Sequence, residues 1–311
     1  MTQNTVAPAS LPSPAADVAD AVRATVRDQY AVVARAPSAT ASACCTPGCC
    51  TPGGNANASL ALGYDAADLA AVPEGANMGL GCGNPQAMAQ LKPGEVVLDL
   101  GSGGGFDCFL AAQQVGPTGS VIGVDTTPDM VSKARANAKT AKAANVSFRL
   151  GEIEHLPVAD QSVDVIMSNC VINLSPDKAA VFADAFRVRK AGGRLAISDV
   201  VATGDVPENL RRDVTALVGC IGGAAPVVEL QQMLVAAGFV DVAVDVDEAS
   251  RAVIADWLPG SGAERYVASA KIAARKPATE TKTKPRVPLA ALTTFAPAAD
   301  ACCAPGCCEE T

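Results

Sequence analysis

The chain has 311 residues, enough for one large domain with appendages or two modest ones, and a formal charge of -8 at pH 7. It carries no basic excess to displace counterions from a nucleic-acid backbone, so nucleic acid is excluded as an expected partner. No apolar run approaches the ~18 residues of a membrane span, and the start MTQNTVAPASLPSPAA lacks the basic and apolar blocks of a secretory signal; a cytoplasmic protein with no membrane contact is expected.

After a Pro/Ala/Ser-rich start, the spacing of Val18, Val22, Val26 and Tyr30 predicts a helix over 16–34. The cluster CCTPGCC (Cys44 to Cys50) and a Gly/Asn-rich linker follow, and residues 1–60 read as an N-terminal helix with a Cys-rich linker. The segment LGCGNP, 80–85, is a turn-rich loop ahead of the first core strand. From Glu95 strands and helices alternate: VVLDL, a helix over 105–116, SVIGVD, a helix PDMVSKARANAKTAKAA, then VSFRL, DVIMSN and GRLAISDV. This is the pattern of a mostly parallel sheet with helices on both faces, expected over 61–200. The stretch 207–239 reads as a helical cap, with VDVAVDV and ERYVASAKIAA as closing strands, plausibly antiparallel to each other; 201–275 is expected to form a smaller region over the sheet. Beyond Arg275 the chain turns Lys/Thr/Pro-rich, is expected to be disordered over 276–311, and ends in a second cluster, CCAPGCC.

The loop VLDLGSGGGFD, 97–107, follows a buried strand and opens a helix, and Gly101, Gly103 and Gly105 let the backbone turn sharply and approach a ligand closely. A glycine loop alone also serves nicotinamide and flavin folds. Here the spacing is D-x-G-x-G-x-G, and Asp125 ends the second strand, where it can accept hydrogen bonds from both ribose hydroxyls. Asp99 is placed to face a methionine ammonium, and Ile153 and Glu154, in GEIEHLP, to hold an adenine. The combination points to a class I methyltransferase using S-adenosylmethionine, of Rossmann-like α/β fold.

Twelve cysteines in a chain long enough for its own core do not suit a disulfide scaffold, which is typical of short secreted chains. Reduced thiols for metalloid or redox chemistry are the better reading. Cys170 ends the fourth strand, where ligands of open parallel sheets bind; Cys220 lies in the cap and Cys82 in the loop entering the first strand. Cys108, on the first helix of the sheet domain, reads as a small core residue. Asn169 and Asn173 fit either a role in shaping the thiol site or plain capping and turn roles, and the single histidine, His155, reads as a loop residue.

Four stretches resemble the arsenite methyltransferase family: 62-LGYDAADLAAVPEGANMGLGCGNP-85, 97-VLDLGSGGGFDCFLAA-112, 147-SFRLGEIEHLPVADQSVDVIMSNCVINLSPDK-178 and 219-GCIGGA-224. The resemblance implies that Cys82, Cys170 and Cys220 match the family's characteristic thiols, the latter two holding trivalent arsenic, with a further N-terminal thiol at Cys44 or Cys45. The chain departs from the family at Leu80, where some members have Tyr, and at Thr126, beside the ribose aspartate, where many have Met.

The implied chemistry suits these residues. Trivalent arsenic is thiophilic and takes three sulfurs in a pyramid. Thiolate binding is expected to release protons and to depend on pH. The arsenic lone pair attacks the sulfonium methyl without a general base, and thiols return arsenic to the trivalent state through a disulfide that glutathione or thioredoxin reduces. Cys82 is expected in that disulfide with Cys170 or Cys220. A monomer suffices for this chemistry. The paired clusters suit arsenic capture, a structural zinc site or spare redox thiols. Two other functions compete: a methyltransferase of a small organic acceptor such as a quinone, and a metalloid-binding protein without catalysis.

Overall fold

A computed structural model describes residues 14–36 and 54–278. Both CC-x-PG-CC type clusters, Cys44 and Cys45 among them, lie outside the described residues.

Helix α1 (Pro14–Arg35) extends the expected 16–34 by a residue or two at each end. Three short helices follow, α2 (Gly54–Ala61), α3 (Ala66–Ala70) and α4 (Pro85–Ala89). The sheet domain then runs β1 (Val96–Leu100), α5 (Phe106–Val115), β2 (Ser120–Asp125), α6 (Pro128–Ala141), β3 (Val146–Leu150), β4 (Val163–Asn169), α7 (Lys178–Val188) and β5 (Arg189–Ala202). The second sheet-domain helix stops at Ala141 rather than Ala144, because Lys142 takes a left-handed φ of 52° and caps it. The expected cap is three pieces, α8 (Glu208–Arg211), α9 (Val214–Val218) and α10 (Val227–Ala236), divided by the Asp213 N-cap and by the turn from Gly219 to Pro226. Strand β6 (Val240–Asp247), α11 (Ser250–Trp257) and β7 (Val267–Arg275) complete the fold.

The seven strands form one sheet in the order β3-β2-β1-β4-β5-β7-β6. The first five are parallel, and β7 is antiparallel to both β5 and β6. The two closing strands therefore pair as expected and belong to the main sheet. The expected boundary at 200 falls inside β5. Likewise Lys276, expected to begin a loose tail, is buried, and its Nζ donates to Phe186 O and Arg189 O, both at 2.9 Å.

Alternation along the strands sorts the core. Leu98, Leu100, Ile166 and Ile197 face Val181, Phe182 and Val188 of α7 and Leu230 and Leu234 of α10. Val97, Val121, Val165 and Met167 face Phe109 and Val115 of α5 and Val131 of α6. A third apolar cluster sits where the cap meets the sheet, and Cys82, Cys170 and Cys220 are part of it. No helix among the described residues is long and apolar enough to cross a membrane.

Candidate active site

Chain order reverses between β1 and β4, which lie side by side with Leu100 opposite Ser168. A crevice opens beyond the carboxyl ends at such a switch point. The glycine loop leaves β1 there, and Cys170 leaves β4. Both border one cavity of about 330 Å³, lined also by Asp99, Gly101, Gly103, Asp125, Thr126, Ile153, Glu154 and Cys220.

On the donor side, Gly101 has φ +66°, and a Cβ there would run into the Val171 methyls. Gly103 N donates to Asp125 Oδ2 at 2.9 Å and Thr127 N to Oδ1 at 2.8 Å, which locks the Asp125 carboxylate to the loop. Gly105 does not line the cavity. It is the N-cap of α5 at φ 94°, and a Cβ would strike the Phe148 and Phe109 rings, so its role is packing of the helix start.

Asp99 is buried, and among the described residues its carboxylate receives a hydrogen bond from Cys108 Sγ at 3.2 Å. Cys108, expected as core, is thus buried but also linked to the donor pocket. Burial and then the neighbouring Asp107 push Asp99 well above the usual carboxylate range. Asp107 and Asp125 are raised as well, chiefly by burial, against hydrogen bonds that favour their ionised forms. Buried carboxylates with so little local cation suit a positively charged ligand. Glu154 accepts from Ser175 Oγ at 2.7 Å and from Arg23 Nε of α1 at 3.4 Å, so the N-terminal helix packs against this wall of the cavity.

On the thiol side, Cys170 and Cys220 are both left-handed, at φ 59° and 62°. Cys220 Sγ donates to Cys170 O at 2.8 Å. Cys82 is buried next to Cys170 but does not line the cavity. The ligating atoms of Cys82, Cys170 and Asp199 all lie within 4.8 Å of one another. Burial pushes the Cys82 thiol up to about 11 and Cys170 well above its ordinary value. Asp199, three residues before the end of β5, is pushed up to about 6 by burial. Its oxygens accept from Ile172 N (2.8 Å), Val200 N (2.8 Å) and Asn173 Nδ2 (2.9 Å), pinning the turn after Cys170. Asn173 Nδ2 also reaches Cys220 O at 3.2 Å, so Asn173 ties the two thiol segments together.

Residues 91–238 match a family model described as a methyltransferase domain. An arsenite methyltransferase of Halobacterium salinarum is 51% identical over 265 residues, covering 82% of this chain and 67% of that protein. The chain belongs to the arsenite methyltransferase family. The human arsenite methyltransferase is 41% identical over 152 residues, 46% of this chain and 40% of its own length. Among solved structures, an arsenic(III) S-adenosylmethionine methyltransferase from Chlamydomonas reinhardtii superimposes with a TM-score of 0.54 at 32% identity, over 73% of this chain and 74% of that one. Family membership carries with it the class I methyltransferase fold and dependence on S-adenosylmethionine.

Leu80 and Thr126 both line the cavity. His155 is an exposed loop residue. Sequence reasoning missed Arg23, Tyr64, Asp107, Asp199 and Trp257. Asp107 sits inside the quoted glycine loop, and Asp199 follows Ser198, which pairs with Asn169 at the carboxyl end of β4, so the rule that ligands gather at carboxyl ends could have found both. Nothing local marks Arg23 or Trp257, which arrive from distant helices.

Proposed function

We propose that Cys170 and Cys220 hold arsenite in the cavity, that Cys82 completes the sulfur trio from behind Cys170, and that the methyl group comes from S-adenosylmethionine seated against Asp99, Asp125 and the glycine loop. The supporting observation is that Cys170 and Cys220 border the same cavity as Asp99, Asp125 and the glycine loop. The donor fits on this chain's own terms: Asp99 and Asp107 are buried carboxylates suited to an ammonium, and Asp125 keeps acceptor capacity for ribose hydroxyls.

Binding begins as condensation. Arsenite is neutral As(OH)₃ near pH 7, and burial keeps the Cys82 and Cys170 thiols protonated, so each of their protons leaves with an arsenic hydroxyl as water. Net proton release, expected from the sequence, is therefore small; raised thiol pKa values remove its source. Three sulfurs leave the arsenic lone pair exposed. When bound, S-adenosylmethionine supplies an electrophilic sulfonium methyl: an As–C bond forms as the S–C bond breaks, S-adenosylhomocysteine leaves, and arsenic passes formally from trivalent to pentavalent. The chain's part is alignment and exclusion of water, with Trp257, Leu258 and Val218 walling the thiol end. Two thiolates, Cys82 and Cys170, then give two electrons to arsenic and become a disulfide, which glutathione or thioredoxin reduces.

The test is incubation with methyl-labelled donor, arsenite and glutathione. Methylated arsenic is the expected product. Its absence, with donor binding intact, would leave the organic-acceptor or binding-only function in its place.

A further inference from the structure

We infer that Asn169 is a positioning residue that decides which thiol Cys170 takes as its partner, by clasping the loop that carries Cys82. Among the described residues no backbone-to-backbone hydrogen bond holds the run from Gly79 to Gly83. Side chains hold it instead: Asn77 Oδ1 accepts from Gly79 N at 2.9 Å, and the Asn169 amide holds the end that carries Cys82. Asn169 Oδ1 accepts from Cys82 N at 3.0 Å, and Asn169 Nδ2 donates to Gly83 O at 2.8 Å. One side chain thereby grips both flanks of the Cys82 side chain, and the gripping residue directly precedes Cys170 in the chain.

The loop is shaped to this clasp. Gly81 has φ +126°, and a Cβ on it would meet the Asn169 amide at 2.8 Å. A Cβ on Gly83 would run into Ser198 Oγ. Only a Gly-Cys-Gly sequence lets the cysteine backbone lie this close. The amide is itself oriented from the far side: Nδ2 also donates to Tyr64 OH at 3.1 Å, and Tyr64 OH donates to Asp107 Oδ1 at 2.8 Å.

Cys170 has a second thiol neighbour, Cys220, whose anchors are separate. Cys220 N donates to Leu217 O at 2.9 Å, and Cys220 O accepts from Asn173 Nδ2 at 3.2 Å. Freeing the Cys82 loop therefore removes one competitor for Cys170 and leaves the other in place. This deepens the thiol chemistry proposed above, yet it is measured without arsenic or donor, so failure of one and failure of the other are seen separately.

The full-length protein is equilibrated with glutathione and glutathione disulfide, quenched by alkylation and mapped by mass spectrometry. Glutathione disulfide takes two electrons from two protein thiols: one S–S bond forms in the protein, one breaks in the oxidant, and two glutathione thiols carry off the two protons. The readout is the ratio of the Cys82–Cys170 bridge to the Cys170–Cys220 bridge. In Asn169→Ala the ratio falls by about tenfold or more, the equivalent of the lost pair of hydrogen bonds. General loosening lowers both bridges alike and does not move the ratio. A ratio within about twofold of the wild type overturns the inference. If Asn169→Ala does not fold, Tyr64→Phe serves: it keeps the ring against Phe106, at 4.8 Å between centroids, and removes only the hydroxyl. It shifts the ratio in the same direction, and an unchanged ratio there overturns the inference equally.

Discussion

The thiol of Cys220 donates to the backbone carbonyl of Cys170 across 2.8 Å, and both residues sit in the left-handed region, at φ 62° and 59°. That region costs an L-residue other than glycine about 1 kcal/mol or more, and cysteine has no local hydrogen bond of the Asn kind to offset it. Among the residues that line the cavity, these two thiols are the non-glycine residues with a positive φ. At position 220, glycine should therefore be more stable than alanine by about 1 kcal/mol. Urea unfolding of Cys220→Gly and Cys220→Ala checks this; equal stabilities would show that the backbone is not strained there.

The donor pocket has a pH signature. Burial raises Asp99, Asp107 and Asp125 above the usual carboxylate range in the free protein. A raised carboxyl contributes stability that is present below its unfolded pKa and lost as pH rises through its folded value, so in the free protein these groups oppose folding once ionised. A ligand ammonium favours the ionised form. Affinity for S-adenosylhomocysteine, which retains that ammonium, should fall as pH drops from about 8 to about 5, and its thermal stabilisation should shrink in parallel. Calorimetric affinities flat across that range would contradict the assignment of Asp99 and Asp107.

Gly101→Ala places a methyl group against Val171 at a residue with φ +66°. The loop must shift, and donor affinity should drop by about tenfold or more. Equilibrium binding of S-adenosylhomocysteine measures it. Gly116→Ala is the comparison: it has a similar φ of 66° but no neighbour within 4 Å, so it should cost stability without donor affinity.

Arg189 is fully buried, and none of its side-chain nitrogens has a hydrogen-bond partner among the described residues; its guanidinium lies 5.3 Å from the Phe239 ring. An unpaired buried charge is costly, and apolar replacement of buried ionic groups commonly stabilises by about 1–4 kcal/mol. Arg189→Leu should raise the melting temperature by several degrees, read by calorimetry. A fall would mean the guanidinium contributes packing that leucine cannot supply. Nothing in the structure explains why arginine stands here.

Much of the sheet was legible because its parallel strands are continuous apolar runs such as VVLDL and SVIGVD, bounded by turn residues. Helix α7 was not read, although Val181, Phe182, Ala185 and Val188 carry its period, because the thiol motif SNCVINLSPDK overlaps its first residue. The cap was read as one helical stretch, since propensity alone does not reveal that Gly219 and a left-handed Cys220 break it. In the site, residues whose role is local were found: the glycine turn, Asp125 at a strand end, and Cys170. Asn169 was singled out with its role left open between the thiol site and a turn; its partners and the Asp199 network were not read, because they join positions up to 105 residues apart and no spacing rule reaches that far.

The most direct measurement is single-turnover transfer of labelled methyl to arsenite by the wild type and by the Cys170→Ser/Cys220→Ser double variant. With arsenic no longer aligned, transfer should fall by about a hundredfold or more, while S-adenosylhomocysteine still binds. Methylated arsenic formed by the double variant at close to the wild-type rate would contradict the account.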